Sequence, residues 1–125
     1  MSAAHAPVER LRKRADFLRA ARRGRKVAKS TVVVQAVARS DGARPMRVGV
    51  TATKKLGGAV VRNRVKRRLR AAAAELLPQR GEPGTDYVLI GRAATATCPW
   101  TRLKRDLDGA LEGLARARAP RPEHA

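Results

Sequence analysis

A chain of 125 residues, 43% hydrophobic with one Phe, one Tyr and one Trp, has room for one domain around an aliphatic core. Its 29 lysines and arginines against 10 acids give a net charge of +19, and residues 1–70 hold 21 of those cations and only 3 of the acids, so the first part of the chain calls for a polyanionic partner. The single cysteine, Cys98, excludes an internal disulfide and has too few ligands near it for a metal site, and no apolar run approaches the ~18 residues that suggest a membrane span.

Residues 1–7 read as a flexible N-terminus. The opening MSAAHAPVERLRKR lacks the apolar centre of a signal peptide, and Glu9 and Asp16 are unlike a transit peptide, so a cytoplasmic location is expected. Val8, Leu11, Ala15 and Leu18 recur at helical spacing and predict a helix from Val8 to about Arg22, stopped by Gly24. Phe17 falls opposite that face, beside Arg10, Lys13 and Arg14, where it fits either a packed ring or a ring offered for base stacking.

The β-branched run STVVVQAVA predicts a strand within Lys26–Arg39, and SDGARP, Ser40 to Pro45, a turn. RVGVTAT alternates Val48, Val50 and Ala52 against Arg47, Gly49 and Thr51, a second strand with one apolar face. Lys54-Lys55-Leu56-Gly57-Gly58 breaks it; the glycines fit either a phosphate cradle at a helix start or a plain strand-to-helix turn, and the pattern is not a P-loop. A helix over Ala59–Leu77 gathers Val61, Val65, Leu69, Ala72 and Leu76 within an arc of about 80° and stops at Pro78. Tyr87–Arg92, YVLIGR, is a strand. A last helix begins near Pro99, capped by Thr97 or Cys98, with Trp100, Leu103, Leu107, Leu111 and Leu114 on its core face. The tail RARAPRPEHA, residues 116–125, has no apolar period, which leaves 8–115 as a single domain, the one that would take the polyanion. The order predicts an α+β fold: an α-β sandwich with a central, mostly antiparallel sheet and one β-α-β crossover.

The stretch VVRNRVKRRLR, Val60 to Arg70, departs from helix rules. Arg62, Arg64, Lys66, Arg67, Arg68 and Arg70 repel one another at i, i+4 spacing, and they crowd the helix N-terminus, the unfavourable end for cations. Two local penalties without compensation favour a functional, phosphate-binding face over a plain solvated basic one. Catalytic chemistry is not legible: His5 and His124 lie at the ends, Asp106 and Asp108 cannot share a helix face, and no carboxylates cluster to hold Mg²⁺.

VGVTATKKLGGAVVRNRVKRRLR, centred on Arg62-Asn63-Arg64, resembles the signature of the protein subunit of bacterial ribonuclease P; RLRKRADFLRAARRG and DYVLIGR match the family's N-terminal helix and the strand after its long helix. The resemblance spans about residues 10–114. It implies an α-β sandwich with a left-handed β-α-β crossover, and an enzyme that removes the 5′ leader of precursor tRNA. The catalyst there is an RNA that, with the substrate phosphates, holds Mg²⁺; the protein binds the leader and the RNA and carries no catalytic group. Arg62, Asn63, Arg64, Lys66, Arg67, Arg68 and Arg70 match the helix that meets the catalytic RNA, Lys54 and Lys55 the basic pair before it, Phe17 the aromatic facing the leader, and Lys13 a basic position nearby. Gly58 stands where the family commonly has Asn. Ala21 and Val34 stand where some members carry further cleft aromatics, and Val32 and Val34 are read as cleft floor. The expected partners are therefore the ribonuclease P RNA and precursor tRNA, with no membrane. The alternative is a ribosomal or general basic nucleic-acid-binding protein without an enzymatic role. On this reading Arg64→Ala or Arg68→Ala weakens binding of the catalytic RNA without unfolding the domain.

Overall fold

The computed structural model describes residues 7–39 and 45–118, so the turn expected at Ser40–Pro45, Pro45 apart, and the outermost ends lie outside the described residues. The elements are β1 (Val8–Arg10), α1 (Arg14–Arg23), β2 (Arg25–Ala28), β3 (Val32–Ala38), β4 (Met46–Thr51), α2 (Ala59–Arg80), β5 (Thr85–Gly91) and α3 (Trp100–Arg118). The strands form one sheet in the order β1-β4-β5-β3-β2. β4 and β5 are the parallel pair that the β-α-β reading expects, and β3 joins both β5 and β2 antiparallel. A second parallel pairing, β1 with β4, makes the sheet evenly mixed.

β1 corrects the expected long helix. Val8, Glu9 and Arg10 pair with Met46, Arg47 and Val48, and Leu11 donates its N–H to the Val48 carbonyl at 2.9 Å. The local pattern is helical, but without this segment the outer edge of β4 would be left with unpaired backbone groups, and that tertiary demand outweighs a weak local propensity. The helix therefore begins at Arg14, and its apolar face is not the one framed on Val8. Ala15 and Leu18 are exposed, while Asp16 and Ala20 are buried and Phe17 is half-buried.

Two apolar clusters lie on opposite faces of the sheet. The larger joins Val32, Val34, Ala36, Met46, Tyr87 and Leu89 to the stripes Val65/Leu69/Ala72/Leu77 of α2 and Leu103/Leu107/Leu111/Leu114 of α3. The smaller joins Leu11, Ala20 and Val88, with Phe17, Val37 and Ile90 packed against it beneath α1. Period-two alternation sends neighbouring residues of β3 and β5 to different layers. β5, buried on both sides through Leu89, accordingly reads as an unbroken apolar run.

α2 passes through Pro78 to Arg80 rather than ending at Leu77. A proline's fixed φ is itself helical and forfeits one hydrogen bond, and the Gly81 N–H closes the helix on the Leu77 carbonyl at 2.8 Å. α3 opens on the Pro99 carbonyl, which accepts the N–H groups of Arg102 and Leu103, so neither Thr97 nor Cys98 holds the cap position. It continues through Arg118, so residues 116–118 of the expected loose tail are helical.

Candidate nucleic-acid interface

The cationic helix is docked as its periodicity requires. Val65 and Leu69 are fully buried, Asn63, Arg64, Arg67 and Arg70 are exposed, and Arg62, Lys66 and Arg68 are half-buried. Val61 is the weak member of the docking stripe, 37% exposed. No acid occupies the first turn and the N-cap is Gly58, so the positive end of the helix faces outward with cations added to it. Lys66, Arg67 and Arg70 pair with no carboxylate among the described residues, which leaves their charge available to an external anion.

Arg64 and Arg68 differ from their neighbours. Arg64 Nε donates to the Ala96 carbonyl at 2.7 Å, Arg68 donates to the same carbonyl at 2.9 Å and to that of Cys98 at 2.6 Å, and Arg68 lies 5.8 Å from the centre of the Trp100 ring. These bonds tie α2 to the segment that leads into α3. Truncating either therefore costs stability as well as charge: removing Arg68 leaves the Cys98 carbonyl without this donor.

Lys54 and Lys55 are exposed on a short 3-10 turn, Lys54–Leu56, whose Leu56 packs on the main core. Gly57 has φ 139°, a conformation that favours glycine, whereas a Cβ at Gly58 would meet nothing within 4 Å. The first glycine is accounted for by the turn itself, and the second position accepts a side chain.

Phe17 lies on the sheet-facing side of α1, not opposite it. Its ring rests on the bare backbone of Gly49, where an added Cβ would come within 2.3 Å of Cζ. The ring also borders a cavity of about 330 Å³, together with Val8, Leu11, Val48, Val50 and Arg70. The cavity thus brings one aromatic from α1 and one exposed guanidinium from the cationic helix to a common opening. Gly49 was the readable signal for this contact, since a glycine inside a strand marks close approach by another group. Val32 and Val34 are not cleft floor: both are fully buried in the main core beneath α2 and α3. Parity places Val33, Gln35 and Val37 on the α1 side instead. Ala21 is exposed.

Lys13 precedes α1 as its N-cap, its side chain exposed and making no capping bond. It borders a second, polar pocket with Asp16, Arg19, Arg23, Arg39 and Arg47. At the base of that region Asp86, fully buried, receives two bonds from Arg47 at 2.7 Å each, one from Arg39 at 2.7 Å and one from Arg19 at 3.3 Å. Burial pushes the Asp86 carboxyl up, but the hydrogen bonds of Arg47 and Arg39 and their charges together outweigh it and hold the group below the ordinary carboxylate range. Sequence reasoning missed this hub. Its faint signal is an acid directly before the apolar run YVLI.

Comparison with known proteins gives a consistent result. The family model described as Ribonuclease P matches residues 6–115. The chain is 54% identical over 114 residues to the ribonuclease P protein component of Ruegeria pomeroyi, covering 90% of this chain and 88% of that one. It is 51% identical over 107 residues to that of Caulobacter vibrioides, covering 86% and 71%. Among solved structures, the RNase P protein from Thermotoga maritima aligns with a TM-score of 0.71 at 27% identity over 89% of this chain and 99% of that one. The Staphylococcus aureus RNase P protein gives 0.69 at 28% over 82% and 92%.

Proposed function

The chain belongs to the ribonuclease P protein family, and on that premise we propose that it is the protein component of a ribonucleoprotein endoribonuclease that removes the 5′ leader from precursor tRNA. The observation that carries this is the face of α2: a helix docked through Val65 and Leu69 that presents unpaired cations at its own positive end, beside a cavity shared by Phe17 and Arg70. Such a face binds a polyphosphate and supplies no nucleophile or general base.

In this proposal Arg62, Asn63, Arg64, Lys66, Arg67, Arg68, Arg70, Lys54 and Lys55 contact the catalytic RNA. Phe17, with Lys13 nearby, meets the leader. The RNA and the substrate phosphates hold Mg²⁺, which supplies the activation of water at the phosphodiester. The protein's own face does not fit a divalent cation, because its donors are guanidinium and ammonium groups and carboxylates are missing from α2's exposed first turns. What the protein contributes is position: it lowers the electrostatic cost of bringing leader and catalytic RNA together, and thereby the Mg²⁺ demand. The cytoplasm is the proposed location; no helix among the described residues is long and apolar enough to cross a membrane. Composition alone fits a ribosomal or general RNA-binding protein equally well, and the family match supports the processing role over that reading. Stimulation of leader cleavage by a bacterial ribonuclease P RNA tests the proposal; its absence overturns it.

A further inference from the structure

Little apolar surface attaches α1 to the sheet. Of its ten residues only Asp16 and Ala20 are buried, while Ala15 and Leu18 are exposed and Phe17 is half-buried. Ala20 brings a single methyl to the smaller cluster, so apolar burial alone holds the helix weakly. A buried acid in such a helix needs charged partners. Asp16 has them, and they close a ring. Arg19 Nη2 donates to Asp16 Oδ1 at 2.8 Å and to Asp86 Oδ2 at 3.3 Å. Arg47 Nη2 donates to the same Asp86 oxygen at 2.7 Å and lies 3.4 Å from Asp16 Oδ2. The charges alternate around it: Asp16, Arg19, Asp86, Arg47. The first two belong to α1. The other two belong to the sheet, where they face each other in the β4–β5 register.

We infer, on the premise of the function proposed above, that Asp16 is a positioning residue for Phe17: by its ion pair with Arg47 it fixes where the ring sits on the sheet, and so how the ring is offered to the leader. Asp16 and Phe17 are adjacent on α1. Arg47 and Gly49 are two residues apart on β4, hence on one face of the sheet and about 7 Å from each other. Asp16 meets Arg47 while Phe17 meets Gly49. A helix held at both points can neither slide along β4 nor roll about its own axis without breaking one of them. The Gly49 contact does not suffice for this, because a ring on bare backbone is held by dispersion and burial, which have no direction. Charge-assisted hydrogen bonds supply the direction. The electrostatics point the same way. A carboxylate beside a ring that meets a polyanion opposes binding, so Asp16 assists leader recognition only through what it holds in place.

The test uses the full chain, alone and in the holoenzyme assembled with ribonuclease P RNA. Equilibrium affinities for precursor and mature tRNA are measured for the wild type, Asp16→Asn, Phe17→Leu and the double variant, with melting temperature as the control on folding. Asp16→Asn is expected to lower the preference for precursor several-fold, by no more than Phe17→Leu does. Its affinity for mature tRNA is expected to hold or rise, since a negative charge has been removed. In the Phe17→Leu background, Asp16→Asn is expected to lower the preference no further, because the two side chains act as one unit. In the free protein the Gly49 α-proton signals, displaced by the ring current of Phe17, are expected to move in Asp16→Asn toward their positions in Phe17→Leu. Arg19→Ala opens the ion-pair ring at a partly exposed side chain and leaves Asp16 on Arg47. It is expected to move the same signals in the same direction by less, and it decides the matter where Asp16→Asn does not fold. An equal loss of affinity for both tRNAs assigns Asp16 to stability alone and overturns the inference, as does an additive double variant or an unmoved Gly49 signal. A wild type that does not prefer precursor tRNA overturns the functional proposal itself, while the Gly49 signals still decide whether Asp16 places the ring.

Discussion

The ring of Phe17 lies directly against Gly49, close enough that an added Cβ would sit 2.3 Å from Cζ and 2.5 Å from Cε1. The contact gives the ring one face on the sheet and one edge on the cavity it shares with Arg70. Phe17 therefore packs on the sheet and, in the proposed function, also meets the leader, so truncation to Ala cannot separate the two. Phe17→Leu separates them: it keeps apolar contact with Leu11 and Ala20 and removes the aromatic face. We expect it to cost under about 1.5 kcal/mol of stability while reducing the preference for precursor over mature tRNA. Phe17→Ala is expected to lose both. Unchanged preference in Phe17→Leu, read from equilibrium binding, would return Phe17 to a packing role alone.

Gly49→Ala tests the same contact from the sheet side. Cζ and Cε1 of the ring, and Leu11 Cβ at 3.2 Å, obstruct the new methyl, so the ring must move. Overpacking of this kind costs about 1–3 kcal/mol. The expected result in urea denaturation is a lowered midpoint, with precursor affinity lowered as in Phe17→Leu. Wild-type stability would mean that the ring yields freely.

Arg67 and Arg68 are neighbours with opposite expectations. Arg67 is exposed and unpaired, so Arg67→Ala is expected to change stability by less than about 0.5 kcal/mol and to weaken RNA binding with a shallower salt dependence. Arg68 bonds two carbonyls and lies over Trp100, so Arg68→Ala is expected to cost about 1.5–3 kcal/mol before any effect on RNA is counted. Paired denaturation and RNA-binding measurements check the contrast; equal stabilities would contradict it.

Asp86 sets an acid limit on the fold. Its carboxyl is held below its ordinary value by Arg47 and Arg39 against the cost of burial. The stabilisation is complete above the unfolded value of about 3.9 and is lost as pH falls through the lower folded value. Asp106, held low in spite of burial by Thr31 and then Ser30, acts in the same direction. Asp86→Asn removes the fully buried carboxylate that Arg39 and Arg47 share and is expected to cost about 3–5 kcal/mol, with a flatter stability profile below pH ~4. A variant as stable as the wild type at neutral pH would refute this account of the hub.

Much of the architecture was legible because it rests on long periodic runs. The Leu103–Leu114 stripe of α3, the Val65/Leu69 seam of α2 and the parallel β4–β5 pair all follow from spacing. β1 was not legible, because its reason lies in the open edge of β4, 38 residues away in sequence, and no local pattern encodes that. The side of α1 on which Phe17 falls was lost with it, since the helical frame was set on Val8 and Leu11. Val32 and Val34 were placed in the cleft because alternation separates the two faces of a strand without saying which layer covers each. The charge of α2 was plain from sequence, but the acceptors of Arg64 and Arg68 are backbone carbonyls, and these have no signature in side-chain identity.

The most direct measurement is reconstitution. The full chain is added to a bacterial ribonuclease P RNA with precursor tRNA, and leader release is followed as Mg²⁺ is varied. The account predicts strong stimulation of cleavage at the mature 5′ end at low Mg²⁺, reduced in Lys66→Ala/Arg67→Ala. Cleavage that stays at the level of the RNA alone at every Mg²⁺ concentration would contradict it.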